Sequence, residues 1–250
     1  WKKANVVVIN SCVVRQSAEN RAYGLINNID KYREKTKRRI KIVLTGCLVG
    51  LSRKNIKEKL PQVEILPIAK ISYQVEPLRD KKQVALIPIS VGCDNFCSYC
   101  IVPYARGRER SRNKKEILTE VDRAIKEGFS QVILIGQNVN SYKKGQFDDL
   151  LENVAKKSLK KISFVSSNPW DFSDELIEVI AKYENIDRLI HLPLQSGDDE
   201  ILKKMNRPYT AKKYLRLVEK IRKKVKGVRF STDILIGFPG ESRKAFNKTL

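Results

Sequence analysis

Three cysteines lie within eight residues of this sequence: Cys93, Cys97 and Cys100, spaced C-x3-C-x2-C. They follow a mostly apolar run over positions 87–91, so we predict that they occupy a loop at the end of a β-strand. Three thiolates on one short loop predict a metal site. A [4Fe-4S] cluster held by three cysteines leaves one iron with an open coordination position, and a small molecule can bind there.

A structural zinc site and redox-active thiols are the alternatives for this loop. A closed zinc site needs four ligands, usually supplied as two pairs of Cys and His. The only histidine is His191, and the other two cysteines, Cys12 and Cys47, lie far upstream of the loop. Five cysteines in a lysine-rich chain of 250 residues are typical of intracellular thiols rather than of a disulfide framework. The pattern therefore favours an iron–sulfur cluster.

The chain is strongly basic, with 50 Lys and Arg against 28 Asp and Glu, for a formal net charge of +22. Such an excess favours a polyanionic partner, of which nucleic acid is the natural candidate. An A/T-biased genome, which makes many proteins rich in lysine, is the alternative explanation of the same charge. No apolar stretch approaches the roughly eighteen residues of a spanning helix, so we expect a cytoplasmic protein without a membrane partner.

The N-terminal part predicts a small parallel α/β domain over residues 1–70. Apolar runs at 6–9 and 40–44 read as buried strands, and the amphipathic segment 17–35 between them reads as a crossover helix. Strands joined in this way are parallel neighbours, so Cys12 and Cys47 should follow two strands at the same end of the sheet. We interpret them as paired ligands, with a small buried side chain as the alternative for each. A further strand is predicted within 61–68, and 71–83 reads as a linker.

From residue 84 to residue 250, strands and helices alternate as in successive βαβ units. The strands are predicted near 85–91, 131–135, 161–165, 188–192 and 228–235, and the helices include 115–127, 174–183 and 211–224. Unusual polar residues follow every one of these strands. Because the loops after the strands of an α/β barrel converge on the catalytic face, we predict a partial (β/α) barrel with its site on that face.

With these motifs assembled, the chain resembles the radical S-adenosylmethionine (SAM) methylthiotransferases over nearly its whole length. The resemblance is closest to the branch that modifies N6-isopentenyladenosine in tRNA, the MiaB type. The matching segments are Asn10–Arg15, Thr45–Cys47, the cysteine loop with Tyr104–Arg108, His191–Gly197, Met205–Arg207 and Asp233–Glu241.

The resemblance implies two [4Fe-4S] clusters and SAM as cofactors. Cys93, Cys97 and Cys100 match the ligands of the cluster that binds and cleaves SAM, and they are therefore the predicted catalytic residues. Cys12 and Cys47 match two ligands of an auxiliary cluster, whose third cysteine would lie before Trp1. The last barrel strand and an RNA-binding TRAM domain would lie beyond Leu250.

Further residues at the strand ends are predicted to contact the cofactor or the RNA. Tyr99 precedes the last cluster cysteine, where an aromatic ring can lie beside adenine, although a packing role would look the same. The predicted SAM contacts at the ends of the later strands are Gly136, Gln137, Asn138, Ser167, Gln195 and Ser196. Four alternating arginines, whose planar side chains suit phosphate oxygens, are predicted RNA contacts: Arg106, Arg108, Arg110 and Arg112.

The implied function is methylthiolation of C2 of N6-isopentenyladenosine next to the anticodon. The expected partners are a tRNA anticodon stem-loop and an electron donor such as flavodoxin or ferredoxin, with the enzyme acting as a monomer. Related enzymes that act on threonylcarbamoyl-adenosine or on a ribosomal-protein aspartate are alternatives within the family. A metal-stabilised RNA-binding protein without catalysis is the alternative from another class.

Overall fold

The computed structural model describes residues 1–67, 79 and 84–250, and these residues fall into two compact units. One unit contains residues 1–78 together with 100–108, and the other contains 79–99 together with 109–250. The division differs from the predicted domains in that 100–108 groups with the N-terminal part. Apart from Arg79, the predicted linker over 71–83 lies outside the described residues.

The N-terminal unit is a three-stranded parallel sheet with helices. Its strands β1, β2 and β3 are paired in that order, so β1 and β3 form the edges. The core of this unit includes the fully buried Ile26, Ile42 and Leu44. The elements are β1 (Val6–Ser11), α1 (Gln16–Thr36), β2 (Lys41–Gly46), α2 (Cys47–Lys59), β3 (Val63–Ile65) and α3 (Val102–Arg106).

The prediction that the first strand is buried was wrong. Val6 and Val8 are 51% and 60% exposed, whereas Ile9 is buried. Along β1 exposed and buried side chains alternate, because successive side chains of a strand point to opposite faces of the sheet. The predicted parallel pairing with β2 is confirmed, and Ser11 lies opposite Gly46.

The larger unit alternates strands and helices, as the sequence predicts. A parallel sheet runs in the order β4-β7-β8, β9 and β10 form a second parallel pair, and Ile162 makes a parallel bridge to Ile186. The elements are β4 (Val84–Pro88), β5 (Ser90–Val91), β6 (Arg110–Ser111), α4 (Lys114–Lys126), β7 (Gln131–Ile135), α5 (Phe147–Ala155), β8 (Lys161–Phe164), α6 (Asp174–Lys182), β9 (Leu189–His191), α7 (Asp199–Lys204), α8 (Ala211–Lys224), β10 (Arg229–Ser231) and α9 (Arg243–Thr249), with a 3-10 turn at Val139–Ser141.

Local chemistry explains where several of these helices begin. The side chains of Asn113, Ser173, Asp198, Thr210 and Ser242 each accept a hydrogen bond from a backbone N–H in the first turn of the following helix. Such caps satisfy donors that have no partner inside the helix. They fix the helix starts and therefore the lengths of the loops that follow the strands.

Two predicted strands are shorter or divided in the structure. The run 85–91 is split at Ile89, and its second part, β5, pairs antiparallel with β6. The run 228–235 is a strand only over Arg229–Ser231, with one further parallel bridge between Ile234 and Gln195.

Candidate functional site

The cysteine loop begins where β5 ends. Gly92 has a φ of 83°, a left-handed conformation that favours glycine, and the next residue, Cys93, is buried. The N–H of Gly92 donates a hydrogen bond of 2.7 Å to the Oε1 atom of Gln137, which follows β7. The predicted cofactor contact Gln137 therefore holds the start of the cysteine loop.

The loop supplies thiols that suit an iron–sulfur cluster. Cys97 and Cys100 are half-buried, and none of the five cysteines, all of which lie in the described part of the chain, is in a disulfide. Within residues 1–67, 79 and 84–250, no three Cys, His, Asp or Glu side chains are grouped as the ligands of a single metal ion.

A polar cradle for a small ligand lies at the end of β7. The buried Oγ of Ser90 has no hydrogen-bond partner among the described residues. A Cβ atom placed on Gly136 would lie 2.6 Å from this oxygen, so only glycine permits this close approach. An unsatisfied buried hydroxyl is costly unless a ligand or water completes it. This cradle and the three loop thiols fit a cluster with SAM.

Asn138, the third predicted residue of this group, belongs to a buried polar network. Its amide contacts Ser141 and Asn168, and Asn168 also donates to the Asp171 carboxylate at 2.9 Å. Asn140 completes the network through the backbone of Asn168. The Asn138 amide therefore joins the loops after β7 and β8, and its contact with the cofactor stays a prediction.

The hydroxyls of Ser167 and Ser196 are likewise engaged inside the fold. Ser167 donates to the carbonyl of His191, and the fully buried Ser196 accepts a 3.2 Å bond from the N–H of Asp198. Both hydroxyls are held inside the fold, and their contacts with SAM stay predictions. Gln195 has a left-handed φ of 69°, and its side-chain role stays a prediction.

Tyr99 packs below the loop. Its hydroxyl accepts bonds of 3.1 and 2.6 Å from Nε and Nη2 of Arg207, and its ring packs against the buried cluster that contains Ile201 and Met205. The structure thus favours the packing alternative over a contact with adenine. Sequence reasoning missed Arg207 as a site residue, although the segment Met205–Arg207 was among the matching motifs.

A cavity of about 680 Å³ opens beside the cysteine loop. Asp94, Glu109 and Asp171 supply acidic groups, and Lys143 and Lys144 supply cationic groups. Burial, together with the negative charge of Asp94, raises the pKa of Glu109 to about 7. The remaining lining residues are Asn95, Ser111, Ser141, Gly145, Trp170 and Ser173.

The four predicted RNA-binding arginines occupy different environments. Arg108 and Arg110 are exposed. Arg112 is 8% exposed and donates to the Pro88 carbonyl at 2.6 Å and to the Glu120 carboxylate at 2.7 Å. Arg112 is therefore engaged inside the fold, unlike Arg108 and Arg110, and its contact with RNA stays a prediction.

In the N-terminal unit, Cys12 and Cys47 follow the paired residues Ser11 and Gly46, as predicted. Cys12 is exposed and Cys47 is buried at the first position of α2. The Nε of Arg106, on α3, donates to the Sγ of Cys47 at 3.1 Å. Arg106 therefore contacts a predicted cluster ligand, a role that the sequence analysis did not anticipate.

Two family descriptions match the chain. The Radical SAM superfamily matches residues 87–250, and the Uncharacterized protein family UPF0004 matches residues 1–67. Since the first match covers more than half of the residues, the chain belongs to the radical SAM superfamily. Membership implies a [4Fe-4S] cluster and SAM as cofactors.

The curated relatives are named tRNA-2-methylthio-N(6)-dimethylallyladenosine synthases. The Finegoldia magna protein is 39% identical over 282 residues, which cover 99% of this chain and 61% of that protein. The Clostridium novyi protein is 41% identical, with 99% and 63% covered, and the Fusobacterium nucleatum protein is 38% identical, with 99% and 64% covered. The chain thus spans about three fifths of the length of these relatives, and the predicted resemblance is confirmed.

Solved structures confirm the predicted fold class. The radical SAM methyltransferase TsrM from Kitasatospora setae has a TM-score of 0.71 at 16% identity, with 96% of this chain and 58% of that chain covered. The cobalamin-dependent SAM radical enzyme OxsB has a TM-score of 0.67 at 13% identity, with 98% and 42% covered. At such low identity the likeness concerns the fold alone. Within the described residues, no helix has the length and apolar character needed to cross a bilayer.

Proposed function

We propose that this chain is the catalytic part of a tRNA methylthiotransferase that modifies C2 of N6-isopentenyladenosine beside the anticodon. The observation that carries the proposal is its 38–41% identity, along 99% of its length, to synthases named for this product. Membership of the radical SAM superfamily favours an enzyme over a metal-stabilised RNA-binding protein.

The target bond explains why such cofactors are needed. The C2–H bond of adenine has no acidity that a side-chain base can use at neutral pH. A reduced cluster with bound SAM supplies one-electron chemistry that can activate such a bond. The task of the protein is to hold these groups, to orient the base and to exclude water.

Three cysteines and the polar cradle would hold the cluster and SAM. Cys93, Cys97 and Cys100 would bind three irons of the cluster as thiolates. The Ser90 hydroxyl, which has no hydrogen-bond partner among the described residues, and the closely packed Gly136 would lie at the polar end of SAM. These residues follow the strands β4, β5 and β7 in the sequence, where the catalytic groups of α/β barrels are found.

A second, auxiliary [4Fe-4S] cluster is the proposed holder of the sulfur that is transferred. Cys12 and Cys47 would be two of its ligands, with a third cysteine outside this chain. The support is their register at the ends of paired strands and the arginine contact at Cys47. Arg106 would stabilise the negative charge of the thiolate or of a cluster sulfur.

The cavity beside the cysteine loop is the proposed entry for the nucleotide. A base next to the anticodon is unpaired, and unpaired bases are read by splaying them onto aromatic and polar side chains. Trp170 lines the cavity, and Lys143 and Lys144 can meet phosphate oxygens. Arg108 and Arg110 are further candidates for RNA contact. A tRNA substrate places the proposed enzyme in the cytoplasm, and a flavodoxin or ferredoxin donor stays a prediction.

Nucleoside analysis tests the substrate. We expect tRNA from a strain lacking this gene to lose 2-methylthio-N6-isopentenyladenosine and to accumulate N6-isopentenyladenosine. Complementation with the full-length gene should restore the product, and complementation with the Cys97→Ala gene should not. An unchanged level of the product, with loss of 2-methylthio-threonylcarbamoyl-adenosine instead, would reject this substrate in favour of the related branch.

A further inference from the structure

The turn that ends α7 has a fixed conformation. Asn206 has a left-handed φ of 57°, and the N–H of Arg207 donates to the carbonyl of Leu202 at 2.9 Å. Asparagine is the residue after glycine that most readily accepts this conformation at a helix end. The turn therefore determines where the side chains of Asn206 and Arg207 start.

The Asn206 amide reaches the first half of the cysteine loop. Its Nδ2 atom donates to the carbonyl of Asn95 at 3.1 Å and to the carbonyl of Phe96 at 3.0 Å. Both carbonyls lie between Cys93 and Cys97 in the sequence. Phe96 has a φ of 46°, which is unfavourable for a side chain of this size, so contacts that hold its carbonyl offset a local strain.

The same helix end holds the residues after Cys97. The N–H of Ser98 donates to the carbonyl of Met205 at 3.1 Å, and its hydroxyl donates to the carbonyl of Lys204 at 2.9 Å. These carbonyls belong to the last turn, where no helical N–H is left to bind them. Arg207 then donates twice to the Tyr99 hydroxyl.

We propose that Asn206 and Arg207 position the cysteine loop for its iron–sulfur cluster. The helix end contacts residues 95, 96, 98 and 99, so it fixes the backbone on both sides of Cys97. A ligand loop that is ordered before the metal binds does not have to lose its conformational entropy on binding. The two residues act through the loop and are positioning residues. The inference rests on the proposed function, because it requires that the loop holds a cluster.

The test uses the full-length protein in a Cys12→Ala, Cys47→Ala background, so that bound iron reports on the loop alone. Asn206→Gly keeps the left-handed backbone and removes both amide donors. We expect its reconstituted cluster to lose iron to a chelator about tenfold faster, a change of about 1.4 kcal/mol that lies within the loss of two hydrogen bonds. We also expect a changed electron paramagnetic resonance spectrum of the reduced cluster with SAM. Lys203→Gln, an exposed change on the same helix, is the matched control.

Arg207→Lys and Tyr99→Phe provide an independent pair. Lysine keeps the charge but cannot donate twice to one hydroxyl, and phenylalanine keeps the ring but removes the acceptor. Because both changes remove the same hydrogen bonds, their effects on the rate of iron loss should be non-additive in the double variant.

The outcomes separate the two proposals. A Cys12→Ala, Cys47→Ala parent that takes up four irons at the loop and cleaves SAM, with Asn206→Gly matching it in iron loss and in spectrum, would overturn the positioning role and leave the proposed function standing. Wild-type protein that takes up no iron at the loop would overturn both. The circular dichroism spectrum of Asn206→Gly should match that of its parent, which shows that the variant folds. Asn206→His keeps a hydrogen-bond donor, so it should retain iron better than Asn206→Gly.

Discussion

A cysteine binds iron as a thiolate, so its replacement by alanine removes a coordination bond and a negative charge together. Within the loop this chemistry would depend on three cysteines, each bound to a different iron. Gln137, by contrast, contributes through the backbone of Gly92. Individual residues therefore have one of two roles: the cysteines would bind the cluster, and residues such as Gln137 hold the backbone around it.

We predict that Cys97→Ala abolishes SAM cleavage, because the cluster loses one of its three protein ligands. Release of 5′-deoxyadenosine under dithionite, measured anaerobically, reports this directly. Cys12→Ala should keep cleavage and lose the methylthio product. Equal loss of cleavage in both variants would contradict the proposed division between the two sites.

Glu109 should make stability depend on pH. Its folded pKa is about 7, above the ordinary value of 4.5, so between these values the unfolded chain releases its proton first. The free energy of unfolding is therefore unaffected below about pH 4.5, falls as the pH rises toward 7, and is constant above. With water screening, we expect Glu109→Gln to add about 1 kcal/mol at pH 8 and little at pH 4.5. Urea unfolding at several pH values measures it, and equal pH slopes for both proteins would refute it.

At the scale of elements, short helix ends position the candidate sites. In the larger unit the end of α7 holds the cysteine loop, and in the N-terminal unit α3 packs on α2. Gly50 shows how closely these two helices approach, because a Cβ on this residue would lie 1.8 Å from the carbonyl oxygen of Ala105. Substitution there must move a helix backbone rather than a flexible side chain.

Two helix glycines give a matched pair of substitutions. Gly50→Ala should destabilise the protein by about 2 kcal/mol through this overlap. Gly24→Ala, on α1, should stabilise it by about 0.5–1 kcal/mol, because no described atom lies within 4 Å of the added Cβ and alanine favours helices. Thermal unfolding of both variants measures the effects, and changes of the same sign would contradict the overlap.

Arg106 should matter for the auxiliary site. Arg106→Gln removes a charged donor from the Cys47 thiol while keeping a polar side chain, so we expect weaker iron retention at that site. Iron measured in a Cys93→Ala, Cys97→Ala, Cys100→Ala background isolates the effect. Unaltered retention relative to the parent would show that the arginine has no role there.

At the scale of the whole molecule, the net charge of +22 attracts RNA whatever its sequence. Binding of an anticodon stem-loop should therefore weaken steeply as the salt concentration rises, because the release of counterions from the phosphates then contributes less to the free energy of binding. The charge alone does not say which residues meet the RNA. A local substitution with a charge-matched control distinguishes attraction by the net charge from contact by particular residues.

The double variant Arg108→Gln, Arg110→Gln should weaken anticodon stem-loop binding about tenfold and reduce the salt slope by about 1.5. Lys212→Gln, Lys213→Gln removes the same charge from exposed positions on α8 and should have a smaller effect. Binding measured across a salt series tests this. Equal losses of affinity in the two double variants would show that the arginines contribute only through the net charge.

The sequence was sufficient for features that depend on neighbours along the chain. The cysteine spacing, the amphipathic helices such as α8, and the parallel pairing of β1 with β2 follow from residue type, periodicity and connection. These properties are local, and so a single chain reveals them.

Tertiary packing decided which polar residues are used inside the fold. Arg112 looks like its neighbours in the sequence. In the interior, however, the Glu120 carboxylate neutralises its charge and the Pro88 carbonyl accepts a hydrogen bond from it. Asn206 lies 111 residues from Asn95, and no local pattern indicates that the two meet. A hydrogen bond between distant residues depends on how whole helices and loops pack, so the sequence determined the ligands of this site and only the folded chain determined their support.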